Sequence, residues 1–173
     1  VLQSAVRDSD PLVRSAAASG FDVYDPRQRS PLLTLLSDPV RAVRVAAIAS
    51  APPESLSANA VHEYEMSQRE NADQPGALIN AGNLYASLGR VDDAAASYQS
   101  AIRLDPTAAP AYVNLADLRS RSGENAVAIE VLRAGLQGQA GANNVQTAAL
   151  HHGLGLALAR ERRYEEAVKV FEE

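Results

Sequence analysis

Small and large apolar residues recur in one register through the second half of the chain. The pattern Leu-x2-Ala-Gly-x2-Tyr starts at Leu78, and related patterns start at Tyr112, 34 residues later, and at His151. Each copy continues with a second apolar segment, in which an alanine precedes a large side chain by four residues. These pairs are Ala94/Tyr98, Ala128/Leu132 and Ala167/Phe171. Apolar residues spaced four apart lie on one face of a helix, so the pattern predicts three successive pairs of helices.

The recurring residues predict how these helices pack. Gly82, Ala116 and Gly155 are small where the first helix of each pair must approach the second. The large residues of the second helices are expected to point at the next unit. A proline at position 106 is expected to end the second helix of the first unit.

The spacing between the second and third copies is longer than between the first two. The alanines at 128 and 167 are 39 residues apart instead of 34, which predicts an insertion around residues 137–144. Glycines at positions 135, 138 and 141 are expected to make this insertion a mobile loop.

The first half of the chain contains a different repeated unit. Ser9-Asp10-Pro11 precedes Val13-Arg14, and Ser37-Asp38-Pro39 precedes Val43-Arg44, which gives a period of 30 when the arginines are aligned. An aspartate before a proline is a typical helix start, because the carboxylate caps the first turn and the missing proline N–H costs nothing there. Ser30-Pro31 suggests another start, followed by a leucine-rich second helix.

A helix is expected where the two halves meet. Reading the 34-residue register backwards places Ala60 and Tyr64 at the small and large positions of a preceding second helix. The preceding segment does not match the later pattern, so we predict a junction helix within residues 54–74 that serves both repeat types.

These patterns resemble two known repeat families. Residues 75–173 resemble tetratricopeptide repeats, with two complete units and a truncated third, and residues 1–53 resemble HEAT-like repeats. The resemblance implies an all-α, right-handed superhelical solenoid in which the HEAT-like units continue into the tetratricopeptide units. In HEAT-like proteins the aspartate and the arginine of each unit link neighbouring units, which would be the role of Asp10/Arg14 and of Asp38/Arg44.

Composition excludes several classes of function. The chain has no cysteine, which excludes thiolate zinc sites and CxxCH haem attachment, and it has no P-loop, GxGxxG, GxSxG or HExxH motif. Its net charge of −5 and its single lysine argue against nucleic-acid binding. No apolar run is long enough to cross a bilayer. His151 and His152 are adjacent and diverge on a helix, so they cannot bind one metal ion together. With these motifs absent as well, no metal site, no cofactor and no enzymatic activity are predicted.

The inner face of the first helices is the candidate binding surface. Asn80 and Asn114 occupy the same place in successive units, and Asn83 lies near them. Asp117 and Arg121 complete the predicted set. An asparagine amide both donates and accepts hydrogen bonds, so it can bind the backbone of an extended peptide of any sequence. The alternative is that these asparagines are ordinary for the family, in which asparagine is common at both places.

A more particular resemblance suggests a second function. The two units that run from Asp-Pro to Val-Arg are followed by residues 68–73 and residues 80–85, and this order resembles the C-terminal region of bacterial multihaem cytochrome c proteins. This resemblance implies that the chain is a structural or assembly appendage of a redox protein in the periplasm. If the resemblance does not hold, a cytoplasmic location is expected. The leading function is a non-enzymatic scaffold that binds a protein or an extended peptide on the inner face of the tetratricopeptide-like units.

The apolar residues of the last predicted helix indicate that the protein associates with copies of itself. This helix carries Ala167, Val168, Val170 and Phe171, and no polar capping helix follows within the sequence. Solenoid ends are normally covered by a polar face, so we expect end-to-end contact through residues 164–173. The absence of an initial methionine also leads us to expect a fragment of a longer protein.

Overall fold

The computed structural model describes residues 2–22, 25–138 and 145–172. Within these ranges all regular structure is helical, which confirms the predicted all-α fold. The first helices are α1 (Leu2–Ala5), α2 (Pro11–Ser19), α3 (Pro26–Thr34), α4 (Arg41–Ser50) and α5 (Ala58–Arg69). The later helices are α6 (Pro75–Ser87), α7 (Val91–Leu104), α8 (Ala109–Arg121), α9 (Asn125–Gly138), α10 (Val145–Arg160) and α11 (Tyr164–Phe171). Short 3-10 helices cover Leu35–Ser37 and Pro53–Ser55.

The helices form two compact units, residues 1–70 and residues 71–173. The first unit contains α1 to α5, and its core lies mainly between α2, α3 and α4. Its buried side chains include Ala17, Ala18, Phe21, Leu32, Leu35, Val43 and Ala47. Alanines supply three of these, which lets the helices approach closely.

The helix starts in the first unit agree only partly with the sequence prediction. The Asp10 carboxylate accepts the Leu12 N–H at 2.8 Å and caps α2, with Pro11 at the first position, as predicted. The prediction that Ser30-Pro31 starts a helix is wrong. Asp25 accepts the Arg27 N–H at 3.0 Å and starts α3, so Pro31 lies inside the helix. Both sites obey the same cap-then-proline rule, and the chain uses the earlier one.

The repeat in the first unit also has a different register from the one the sequence suggested. The Arg14 guanidinium donates to the carbonyl oxygens of Asp8 and Ser9, and Arg44 donates to those of Asp38 and Pro39. Asp8 is therefore the counterpart of Asp38, and pairing Asp10 with Asp38 was wrong.

The carboxylates confirm this register. The Asp8 carboxylate accepts the backbone N–H of Asp10 at 2.9 Å, and the Asp38 carboxylate accepts that of Val40 at 2.9 Å. Accordingly α4 begins at Arg41, after Val40, so Asp38 does not cap it. The period is 30 throughout, without the two extra residues that the Asp-Pro alignment required.

The second unit consists of three helix pairs, α6–α7, α8–α9 and α10–α11, as predicted. Gly82 of α6 faces Tyr98 of α7 so closely that a Cβ at position 82 would lie 2.5 Å from the ring. Gly155 of α10 likewise leaves room for the Phe171 ring, which a Cβ would overlap. The large residues therefore pack first within their own pair. Tyr98 is also part of a cluster with Leu115 and Leu118 of the next unit.

The turn inside each pair has the same backbone geometry. Gly89, Gly123 and Arg162 have φ values of 73°, 81° and 59°. In each turn the residue that follows donates its N–H to a carbonyl five residues earlier, at 2.8 to 2.9 Å. This is a Schellman ending, in which glycine is favoured because it tolerates positive φ. The third unit has arginine at the position where the other two have glycine.

Two of the glycines expected in a mobile loop are helical. Gly135 and Gly138 belong to α9, so that expectation is wrong for them. At Gly135 a Cβ would lie 2.9 Å from Tyr112 and Leu150, and at Gly138 it would lie 2.8 Å from the Pro106 carbonyl oxygen. Both glycines thus allow close packing. The rest of the expected insertion, residues 139–144, lies outside the described residues.

Candidate functional site

Three side chains of the second unit, one each from α6, α7 and α8, form a hydrogen-bond network. The Asn114 amide nitrogen donates to the Asn83 carbonyl oxygen at 2.8 Å. The Tyr98 hydroxyl donates to the same oxygen at 2.9 Å. Asn83 and Asn114 are thus brought together across neighbouring units, as the predicted peptide surface requires.

The tyrosine holds its proton in this network. Burial of Tyr98, with a smaller contribution from the nearby Asp117 carboxylate, raises its pKa to about 12, and Arg121 opposes the shift. Tyr98 is 2% exposed, and its hydroxyl reaches the Asn83 side chain. Tyr98 is therefore a hydrogen-bond donor at neutral pH.

The network fixes which amide atoms remain for a ligand. The Asn83 carbonyl oxygen already accepts two hydrogen bonds. Among the described residues, the Asn83 amide nitrogen and the Asn114 carbonyl oxygen take part in none. A nitrogen that donates and an oxygen that accepts, on neighbouring helices, match the C=O and N–H groups of a peptide backbone.

An open cleft of about 430 Å³ contains this network. Asp117 and Arg121 line it and form an ion pair at 2.8 Å on one face of α8. The lining residues are Asn83, Ala86, Ser87, Val91, Tyr98, Asn114, Asp117, Leu118, Arg121 and Ser122. We refer to this as the first cleft. The residues that α8 contributes to it are mostly polar.

A second cleft of about 270 Å³ lies between the second and third helix pairs and shares α8 with the first cleft. Its lining residues are Val113, Asn114, Ala116, Asp117, Ser120, Leu132, Ala149, His152, Gly153, Leu156 and Arg160. We refer to this cavity as the second cleft. Because Asn114 and Asp117 line both clefts, we treat the two clefts as parts of one groove.

The structure brings together four of the five predicted site residues. Asn83, Asn114, Asp117 and Arg121 line the first cleft. Asn80 is exposed on α6 and lines neither cleft. Sequence reasoning assigned Tyr98 to packing alone and did not identify it as a donor to Asn83.

Metal-binding clusters and membrane-spanning helices can be sought only among the described residues. Among them, no group of three or more His, Cys, Asp or Glu side chains comes close enough to bind one metal ion. None of the described helices combines the length and apolarity that crossing a membrane requires.

Comparisons with known proteins identify the repeats of the second unit. A family model described as TPR repeat matches residues 82–123, and one described as Tetratricopeptide repeat matches residues 113–173. Residues 82–173 therefore consist of tetratricopeptide repeats, as the sequence predicted. No curated protein matches the chain.

Solved structures share the fold. The chain is similar to one titled "Crystal structure of MamA", with 20% identity, a TM-score of 0.56, and coverage of 99% of this chain and 91% of that one. It is similar to "Crystal structure of MamA protein", with 19% identity, a TM-score of 0.58, and coverage of 99% and 85%. A third, "MamA MSR-1 C2", has 13% identity, a TM-score of 0.55, and coverage of 96% and 94%. Identities this low indicate a common helical repeat fold and nothing about ligands.

Proposed function

We propose that this protein is a non-enzymatic scaffold that binds an extended segment of a partner protein in the groove formed by α6, α8 and α10. The observation that carries the proposal is the pairing of Asn83 with Asn114 across two repeat units. Tetratricopeptide repeats in general support a role in protein–protein interaction.

The amide atoms explain how the groove would hold a peptide. The free Asn83 nitrogen would donate to a peptide carbonyl oxygen, and the free Asn114 oxygen would accept a peptide N–H. Tyr98 holds the Asn83 side chain in place, so less conformational freedom is lost on binding. Backbone contacts of this kind give affinity without requiring a particular sequence.

A display experiment tests this proposal. The 173-residue chain is immobilised and panned against a random dodecamer peptide library, and selected peptides are measured by titration. We expect binders that saturate at micromolar concentration and compete with one another for one site.

The variant Asn114→Ala, Asp117→Ala serves as the comparison because these two residues line both clefts. It should bind the selected peptides at least about tenfold more weakly, since the loss of a hydrogen bond to each side chain is of that size. A library that yields no saturable binder, or binders that ignore the substitutions, would overturn the proposal.

Several finer predictions accompany this function as proposals. We infer that residues 1–53 are HEAT-like and that α5 serves as the junction helix within 54–74. The matched contacts of Arg14 and Arg44 support two copies of one unit. Self-association through α11 is also proposed, because Val168 and Phe171 are more than half exposed. No comparison bears on the cytochrome appendage or the periplasmic location, and both stay predictions from the sequence.

A further inference from the structure

We propose that the peptide bound in the groove places one large apolar side chain in the second cleft, against Leu156. This inference rests on the proposed function, because it specifies the ligand of the same groove. It divides the groove into a part that binds backbone and a part that selects a side chain.

The repeat itself reveals the difference between the two clefts. Two positions three residues apart recur on the first helix of each pair, and every residue at them except Asn80 lines one of the two clefts. These positions are filled by Asn80 and Asn83 in α6, by Asn114 and Asp117 in α8, and by Gly153 and Leu156 in α10. Both positions are polar in the first two units and lose every polar side-chain atom in the third.

Gly153 opens the floor of the second cleft. A Cβ at this position would lie 3.2 Å from the Leu132 Cδ2 atom, so any side chain there would cover Leu132 from the groove side. Leu132 itself is 2% exposed and firmly packed in the core. With glycine present, Leu132 lies among the residues that line the second cleft.

Leu156 forms another wall and is 42% exposed. A single exposed leucine on a flat surface is ordinary and needs no explanation. This one lies in a cleft, beside a glycine and above a core leucine, together with Val113 and Ala116. Filling the cleft with an apolar side chain would remove the exposed part of Leu156 and the partly exposed Val113 from water, which favours binding.

The position of Asn114 connects the two parts of the groove. It lines both clefts, so a peptide whose backbone meets Asn114 has its neighbouring residues at the second cleft. In an extended peptide, side chains alternate between two faces, and residues two apart lie on the same face. We therefore expect the apolar residue within about two positions of the one that contacts Asn114.

Peptide selection with matched variants tests this inference. The intact chain, Leu156→Asp and Val127→Asp are each panned against the same dodecamer library. Val127 is the control because it is 41% exposed, as apolar as Leu156, and lines neither cleft. Peptides selected by the intact chain and by Val127→Asp should share one position filled by leucine, methionine or phenylalanine. Leu156→Asp should select peptides without that preference.

Titration of one selected peptide gives the quantitative result. Serine in place of its apolar residue should weaken binding to the intact chain by about tenfold or more, and to Leu156→Asp by less than about threefold.

Failure of this inference is distinguishable from failure of the proposed function. Selected peptides that bind without any apolar position would overturn the apolar subsite and leave peptide binding intact. An apolar preference that survives in Leu156→Asp would also overturn it, because the side chain would then sit elsewhere. A library that yields no binder would overturn the proposed function, and the apolar subsite with it.

Discussion

Tyr98 lies directly over Gly82, with its ring in the space that a side chain at position 82 would fill. A Cβ there would be 2.5 Å from Cε1 and 2.7 Å from Cδ1 of the ring. The ring cannot move away freely, because it is buried and its hydroxyl is bonded to Asn83. This contact sets the spacing of α6 and α7, and through Asn83 it also sets one side of the groove.

Gly82→Ala should therefore lower the free energy of unfolding by about 1–3 kcal/mol, because the added methyl group overpacks the contact. Chemical denaturation followed by circular dichroism measures the change. Gly76→Ala is the matched control in the same helix, since nothing lies within 4 Å of a Cβ at that position. If both variants unfolded at the same denaturant concentration as the parent, the packing described for Gly82 would be wrong.

Arg162→Gly should stabilise the protein by up to about 1 kcal/mol. The residue has a φ of 59°, which costs a side-chain-bearing residue about 1–2 kcal/mol, while glycine loses somewhat more freedom on folding. The converse change, Gly123→Ala, should destabilise by about 1 kcal/mol, since its φ is positive and the space around it is empty. Thermal unfolding of both variants measures the effect. Shifts in the same direction would contradict the assignment of one turn type to both sites.

The Arg14–Asp38 pair should make stability depend on acid pH. Arg14 donates to both carboxylate oxygens of Asp38, at 2.7 and 3.0 Å, and this hydrogen bonding lowers the pKa of Asp38 below its ordinary value of 3.8. A lowered pKa in the folded state means that the pair stabilises the protein above the ordinary pKa. That stabilisation is lost as the pH falls through the lowered value.

Asp38→Asn removes the charge and keeps an oxygen that can accept the Val40 N–H. It should be less stable than the parent at neutral pH, and the difference should narrow as the pH falls below 3.8. Urea unfolding at several pH values measures this, with Asp73→Asn as an exposed control. A constant difference across the whole range would argue that the carboxylate charge contributes nothing.

Phe171→Ser should make the protein more monomeric. At the equivalent positions of the other pairs, Tyr98 and Leu132 are 2% exposed, whereas Phe171 is 51% exposed. Burial of such a side chain contributes about 1.5–3 kcal/mol, enough to favour association at high concentration. Sedimentation of the parent and the variant tests this. A parent that stays monomeric at millimolar concentration would remove the prediction.

The helix pairs of the second unit were predictable because small and large residues are set by contacts that recur every unit. Gly82 with Tyr98 and Gly155 with Phe171 are the same contact, so the sequence repeats it. The first unit was harder because several residue pairs satisfy the same local rule. Asp10, Asp25 and Asp38 each precede a proline, but only the first two cap helices. All three carboxylates accept the N–H two residues further on, so this local hydrogen bond alone does not decide where a helix begins.

That four of the five candidate residues line one cleft was predictable from their place on the inner helix faces. The link from Tyr98 to Asn83 was not, since the position of the hydroxyl depends on how far the ring leans over Gly82. The change to Gly153 and Leu156 was present in the aligned repeats. The sequence alone did not indicate that Gly153 and Leu156 line the same cleft as Asn114, which depends on how α8 and α10 pack.

A titration of one library-selected dodecamer into the parent, Asn114→Ala and Asn80→Ala tests the peptide groove most directly. The two asparagines occupy the same place in successive units, but only Asn114 bonds to Asn83 and lines the clefts. Unchanged melting temperatures would show that all three proteins are equally folded. We predict that Asn114→Ala weakens binding by about tenfold while Asn80→Ala has no effect. Equal affinity of all three proteins for the peptide would contradict the groove as described.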